Sequence, residues 1–276
     1  TLNTLGVNIN KINLVKGDVR DFDFVRLLFN EYEFDTVFHL GAISEVVKSQ
    51  NDPKLTFDVN VGGTVNILEV ARTYGNVEAI VVSSSDKAYG TGEELPYKEH
   101  DKLNGKGTYE ASKSCTDLVA RAYAINYDLP VVVTRCSNLY GAADMNFTRV
   151  IPNNIRKIMY GERPVIWKGS EKSTREFLYV EDAVDAYVSL VKNIDKTKGN
   201  AYNIGSGEKI TIGELLESLL EKMDSQMTID YVEKDMPEIT HQYLDSSKIH
   251  NDTGWEAQTP LTFGLEKTIK MYRELL

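Results

Sequence analysis

Apolar and polar positions follow two rhythms along the chain. Short apolar runs bounded by polar or glycine-containing stretches predict strands: INLV (Ile12–Val15), TVFHL (Thr36–Leu40, expected to be buried), AIVVSSS from Ala79 and PVVVTRCS from Pro130. Between them lie segments with helical spacing. DFDFVRLLFNEY places Phe24, Leu27 and Leu28 on one face. DPKLTFDVNVGGTVNILEVARTYG predicts one long helix, with Asp52 as N-cap, Pro53 in its first position and Gly75 as its stop. YEASKSCTDLVARAYAINYD predicts another. Strands alternating with helices imply a parallel sheet covered on both faces, an α/β, Rossmann-like doubly wound architecture.

Beyond Gly141 the rhythm loosens. IPNNIRKIMYG, VEDAVDAYVSLVKN, TIGELLESLLEKM and LTFGLEKTIKMYRELL read as helices, and RPVIW, REFLYV and NAYNIG as short strands. Thr211 with Glu214 three residues on forms a capping box. The expected organisation is a dinucleotide-binding domain over 1–141 and a smaller mixed α/β substrate region over 142–276, some of whose segments return to the first domain.

Composition narrows the classes. A length of 276 residues, 42% of them hydrophobic and 26% charged, suits a globular protein able to bury a full core. A net charge of −10 argues against nucleic acid as a partner, and requires local Arg or Lys for any phosphorylated ligand. The 2 cysteines, Cys115 and Cys136, form no disulfide pattern, so a reducing, cytoplasmic compartment is expected. No apolar run approaches a membrane span, and no His/Cys cluster suggests a metal.

Candidate chemistry lies in SSSDKAYG and YEASK. Tyr109 and Lys113 stand four apart, hence on one helix face, and an ammonium beside a phenol favours the phenolate and yields a general base. A chance Tyr/Lys spacing is the competing explanation. Position raises the functional reading. Ligands of open parallel sheets bind beyond the carboxyl ends of strands, where Ser85, Asp86 and Lys87 fall. A polar loop with Asp86 as a turn residue is the alternative.

Eight motifs in order, GDVRD (17–21), HLGA (39–42), NVGGTVNILE (60–69), SSSDKAYG (83–90), YEASK (109–113), RCSNLYG (135–141), REFLYVEDAVDAY (175–187) and YNIGSGEKITIGEL (202–215), resemble the extended short-chain dehydrogenase/reductases of the nucleotide-sugar epimerase and dehydratase type. The resemblance covers essentially the whole chain. It implies NAD as cofactor, with NADP not excluded, a nucleotide-diphosphate sugar as substrate, and a homodimer through helices 52–74 and 108–127, where Leu118, Val119 and Tyr123 put apolar groups on more than one face. It further implies that Tyr109 takes the proton of the sugar 4-hydroxyl, that Ser85 bridges Tyr109 and the 4-oxygen, and that Lys113 holds the nicotinamide ribose and tunes Tyr109. Asp18 and Val19 resemble the pair flanking the adenine. Leu40, Gly41 and Ala42 resemble the turn on the cofactor backbone, and Asn60 and Ser83 also fall at cofactor positions.

Asp86-Lys87 resembles the acid/base pair of 4,6-dehydratases, and among these the CDP-glucose group. Asp86 would donate to the departing 6-hydroxyl and Lys87 would act at C5, which needs a depressed amine pKa from burial or nearby cations. GAADMNFTRVIP (141–152) resembles the substrate loop of those enzymes and brings in Arg149 and Val150. Arg175 sits at the diphosphate position, where a guanidinium fork suits the partner. Asn138 and Asn203 match substrate positions, and His241 and Tyr243 lie where relatives touch the nucleotide. For Arg149 and Arg175 the alternative is a surface ion pair, and for His241 a surface residue.

One family feature is missing. No glycine-rich turn follows the first strand, and roughly fifty residues that carry it in relatives would precede this sequence. The expectation is that the chain is incomplete, that INLV then lacks its neighbour strand, and that TVFHL exposes an apolar edge. An epimerase or decarboxylase of the same family is a second reading. A catalytically silent dinucleotide-binding protein is a third.

Overall fold

The computed structural model describes residues 8–92, 94–233 and 239–276. Helix α1 (Phe22–Tyr32) starts where the Asp21 carboxylate accepts the N–H of Phe24. Val25 and Phe29 form its buried face, while Leu27 is exposed. The face expected from Phe24, Leu27 and Leu28 is therefore rotated by about one position, toward the residues four apart that meet the sheet.

Strand β1 (Thr36–His39) pairs with β2 (Ala79–Ser83), β2 with β3 (Val131–Cys136), and β3 with β7 (Ala201–Ile204), all parallel. Successive strand residues point to opposite faces, and the cores follow that period. Ile80, Val82, Val131 and Val133 pack with Val25, Phe29, Leu68 and Ala120 on one face. Val81 and Val132 pack with Leu178, Ala186, Leu190 and Ile204 on the other.

Two expectations at the sheet edge are resolved in opposite senses. Ile12–Val15 is not a strand: it runs without ladder partners and Leu14 is 83% exposed. A strand exists only where a neighbour takes its backbone hydrogen bonds, so an apolar run alone does not make one. β1 is the edge strand, as expected for TVFHL without a neighbour. It is accordingly not the buried strand its composition implied, since Phe38 is 42% exposed.

After α2 (Val46–Asn51), the long predicted helix is present but interrupted. It starts at α3 (Pro53–Phe57), where the Asp52 side chain accepts the N–H of Leu55, widens into a π turn over Asp58–Gly62, and continues as α4 (Gly63–Tyr74) to Gly75, whose φ of 82° ends it. The π turn turns Asn60 inward, and π turns commonly mark functional positions. At the start of helix α5 (Thr108–Tyr127) the Glu110 side chain reaches back to accept the N–H groups of Lys106 and Gly107, which precede it.

The remaining elements are β4 (Asn138–Tyr140), α6 (Val150–Met159), β5 (Val165–Trp167), β6 (Thr174–Tyr179), α7 (Val180–Lys192), α8 (Ile194–Thr197), β8 (Lys209–Thr211), α9 (Ile212–Lys222, with the expected Thr211/Glu214 capping box), β9 (Asp230–Val232), β10 (His241–Gln242), α10 (Ser247–Thr253) and α11 (Leu261–Leu275). β10, β6 and β4 form a second parallel sheet, and β8 adds to β6 antiparallel. Its core joins Tyr140, Ile151, Ile155, Phe177, Leu216 and Leu265. Among the described residues no helix is long and apolar enough to cross a membrane.

His39 closes β1 and carries a pH prediction. Thr64 Oγ1 donates to the Asn60 carbonyl at 2.6 Å, so at 3.0 Å it accepts from His39 Nε2–H, which fixes the tautomer. Burial, aided by the Lys113 charge, pushes the imidazole down to about 4. A folded pKa below the unfolded value means that stability is complete above about 6.5 and lost as pH falls toward 4, on the order of 3 kcal/mol in all. Melting curves of the wild type should therefore fall more steeply between pH 7 and 4.5 than those of His39→Gln. Parallel curves would contradict this.

Candidate active site

Three strands end at one edge of the main sheet and deliver the site. Beyond β2, Ser85 caps a short 3₁₀ turn over Asp86–Tyr89 by accepting the N–H of Lys87 at 3.2 Å. Ser85 Oγ donates to Asp86 Oδ1 at 3.1 Å. Lys87 Nζ lies 3.6 Å from Asp86 Oδ1 and donates to Gln242 Oε1. Asp86 is buried, yet its Oδ2 has no hydrogen-bond partner among the described residues. A buried carboxylate oxygen left unpaired is costly, and such groups are kept where a ligand uses them.

Tyr109 and Lys113 arrive from α5. Burial pushes the Tyr109 phenol up to about 12, opposed by a hydrogen bond with Ser85 and by the Arg149 charge. The lowered phenol expected from Lys113 is thus not what the geometry gives. Burial dominates, and the Lys113 ammonium is spent on the Ser83 carbonyl at 2.7 Å. Burial also brings Lys113 down to about 8. Lys87 is pulled below the ordinary lysine value by burial, with Arg175 adding to it and Asp86 opposing. The direction is the one that a base at residue 87 would need. Cys136 lies next to this site, but burial raises its thiol to about 12 beside the Tyr187 hydroxyl, so it is inert.

The surrounding residues divide. Arg149 donates to Asp144 at 2.8 Å and to Ser44 at 3.2 Å, and starts α6 before Val150. Arg175 is buried, with its guanidinium on the carbonyls of Thr174, Ile239 and Thr240. Asn138 donates to the Glu176 carbonyl at 3.0 Å. Tyr243 lies under Lys209, whose Nζ is 4.3 Å from the ring centroid, and both line a cavity of about 250 Å³ with Glu176 and Gly207. His241 is exposed, with Nδ1 3.1 Å from Thr174 Oγ1.

Two residues expected to touch ligand have their amides bonded to protein. Asn203 is fully buried, accepts from Tyr89 at 2.7 Å and donates to the Tyr97 carbonyl at 2.8 Å. Its amide is satisfied internally, so it supports the Asp86–Tyr89 turn from beneath. Asn60 likewise spends its amide on protein, accepting from Ile43 N at 2.7 Å and donating to Ile43 O and Ser112 Oγ. It ties the Leu40–Ala42 turn to α5, one residue-triplet from Tyr109. Gly41 in that turn sits 3.5 Å from Val19, counting from where a Cβ would be. Val19 also packs on Gly63, and Asn66 holds the Val19 carbonyl at 2.9 Å. Asp18, paired with Arg20, lines an open depression of about 650 Å³.

Gln242 and Glu176 were missed by sequence reasoning. Glu176 is buried, accepts the N–H groups of Gly207 and Leu244, and is raised to about 7 by burial. Strand alternation held the signal for Gln242: if 241 and 243 face outward, 242 faces the core. Among the described residues no cluster of metal-ligating side chains occurs.

A parallel sheet with a Ser/Tyr/Lys set and an acid/amine pair at its carboxyl edge defines a nucleotide-sugar-modifying short-chain dehydrogenase/reductase. The comparisons narrow it: the GDP-mannose 4,6 dehydratase family model matches residues 2–268, and the chain belongs to that family. It is 32% identical to dTDP-D-glucose 4,6-dehydratase of Homo sapiens over 284 residues, 99% of this chain and 79% of that protein. It is 30% identical to CDP-paratose 2-epimerase of Salmonella typhi over 286 residues, 94% of this chain and 84% of that protein. The crystal structure of dTDP-glucose 4,6-dehydratase from Bacillus anthracis in complex with NAD superposes with a TM-score of 0.87 at 26% identity, covering 99% of this chain and 84% of that one.

Proposed function

We propose that the protein is an NAD-dependent nucleotide-sugar 4,6-dehydratase that converts a nucleoside-diphosphate hexose into its 4-keto-6-deoxy derivative. The observation that carries this reading is the buried Asp86 carboxyl, one oxygen without a partner among the described residues, paired with a half-buried Lys87 whose amine is lowered, beside Ser85 and Tyr109. The chain's residues fit NAD at two places. Asp18 lines an open depression, Val19 packs beside it on Gly41 and Gly63, and the Leu40–Ala42 turn, Ser83 and Lys113 follow the sheet edge toward Tyr109. NAD supplies hydride acceptance from C4 and its return at C6.

The chain's own residues handle the protons. Tyr109 would take the 4-hydroxyl proton as the phenolate, a state that its burial opposes and that the Ser85 hydrogen bond and the Arg149 charge favour, and Ser85 would hold the 4-oxygen. The resulting C4 ketone acidifies C5–H. Lys87, neutral, removes that proton while the C6–O bond breaks and Asp86 gives its proton to the departing hydroxyl. Water leaves, and Lys87 returns a proton to C5 as C6 is reduced. Arg149, Arg175, Asn138, Val150, His241 and Tyr243 are assigned to the nucleotide-diphosphate side; a guanidinium fork matches phosphate oxygens, for which Arg175 would have to exchange the carbonyls of Thr174 and Thr240. Asp86-Lys87 favours a CDP-sugar over a dTDP-sugar by resemblance, and relatives of both kinds are similar to this chain. A homodimer through α4 and α5 fits the 54% exposure of Leu118, although Val119 and Tyr123 pack inward.

Lys87→Met separates this reading from a 4-epimerase. In a dehydratase it should lower water loss by about 100-fold and abolish uptake of solvent deuterium at C5. In an epimerase, which leaves C5 untouched, turnover should persist.

A further inference from the structure

Gln242 is 155 residues from Lys87 in sequence and fully buried beside it. Its Nε2 donates to the Asp86 backbone carbonyl at 3.0 Å, and its Oε1 accepts from Lys87 Nζ. The amide has one workable orientation. Reversed, its N–H₂ would face the amine and its oxygen would face a carbonyl. The Asp86 carbonyl therefore locks the amide so that an uncharged acceptor always meets Nζ. β10 in turn is held by parallel pairing of Gln242 with Arg175 on β6.

Resting on the reading of Lys87 as the C5 base, we propose that Gln242 is a positioning residue that fixes Lys87 Nζ beside Asp86 through a neutral acceptor. The neutrality matters chemically. A carboxylate at this place would set an anion directly against Nζ and hold Lys87 as ammonium, unable to take a proton at neutral pH. No acceptor at all would leave Nζ free to rotate away from C5. The charged groups facing Lys87 are Asp86, Arg175 and, more weakly, Glu110, and Gln242 adds a neutral acceptor among them.

The test is Gln242→Met, which keeps the volume and apolar stem but removes the acceptor. Gln242→Asn, one methylene shorter, is a second variant should Met not fold. The chain carries ¹³Cε-labelled lysine, with Lys87 assigned from the signal lost in Lys87→Arg. Losing the acceptor destabilises the ammonium, so the Lys87 midpoint should fall by half a unit or more. The rising limb of the pH–rate profile should fall with it, kcat should drop at least tenfold, and KM should stay within twofold. An unmoved NMR midpoint in folded variants overturns the role of Gln242. A shifted midpoint with an unmoved pH–rate limb supports Gln242 as Lys87's partner, and overturns instead the reading of Lys87 as the base.

Discussion

Tyr109→Phe should lower turnover by about 10²- to 10⁴-fold while ligand binding is kept. The phenol is the group at the end of α5 that contacts Ser85, and Phe retains its ring but not its proton. Desolvation pushes the hydroxyl up to about 12, and Phe removes the group assigned to exchange a proton with the sugar 4-hydroxyl. The hydrogen bond with Ser85 vanishes, but no cavity forms, so melting temperature should change little. Equilibrium binding of the nucleotide sugar by calorimetry, set beside turnover, checks the prediction. A silent dinucleotide-binding protein would show no change in either function, whereas weakened binding equal to the rate loss would make Tyr109 a binding group.

The largest stability effect is expected away from the chemistry. Arg135 is 1% exposed and forks onto Asp117, with Nε at 2.7 Å and Nη2 at 3.0 Å. Asp117, itself fully buried, also accepts from Arg121 at 2.9 Å. Arg135 Nη1 donates to the Tyr89 hydroxyl at 2.7 Å and to the Glu99 carbonyl at 3.0 Å. Asp117→Ala strands a buried guanidinium, which should cost about 3–5 kcal/mol. The urea midpoint should fall with the slope unchanged. Because Tyr89 ends the turn that starts at Ser85, the folded fraction should also lose activity. A change below about 1 kcal/mol would show that solvent reaches Arg135 and pays its desolvation instead.

What could be read from the chain follows from how local each feature is. The Asp52 cap, the Gly75 stop and the Thr211/Glu214 box are set within a few residues, and they appear as read. β2 and its polar end were legible because a buried strand followed by Ser-Asp-Lys needs no distant partner to be recognised. Ile12–Val15 was not, since an apolar run becomes a strand only through a neighbour. Asn60 and Asn203 stand at family positions, yet their amides are consumed by Ile43, Ser112, Tyr89 and Tyr97, contacts that link segments far apart in sequence. Gln242 shows the same limit from the other side. Its neighbours 241 and 243 drew attention, while the residue that reaches Lys87 is the inward one. The Tyr109–Lys113 spacing was legible, but not that Lys113 would settle on the Ser83 carbonyl and leave the phenol high.

The central claim is that water is lost from the sugar. The protein should be incubated with NAD and, one at a time, CDP-, dTDP-, GDP- and UDP-hexoses, with product mass followed. One nucleotide sugar should lose one water, with no net consumption of NAD. A product of unchanged mass that separates as an isomer would contradict it and place the protein among the epimerases.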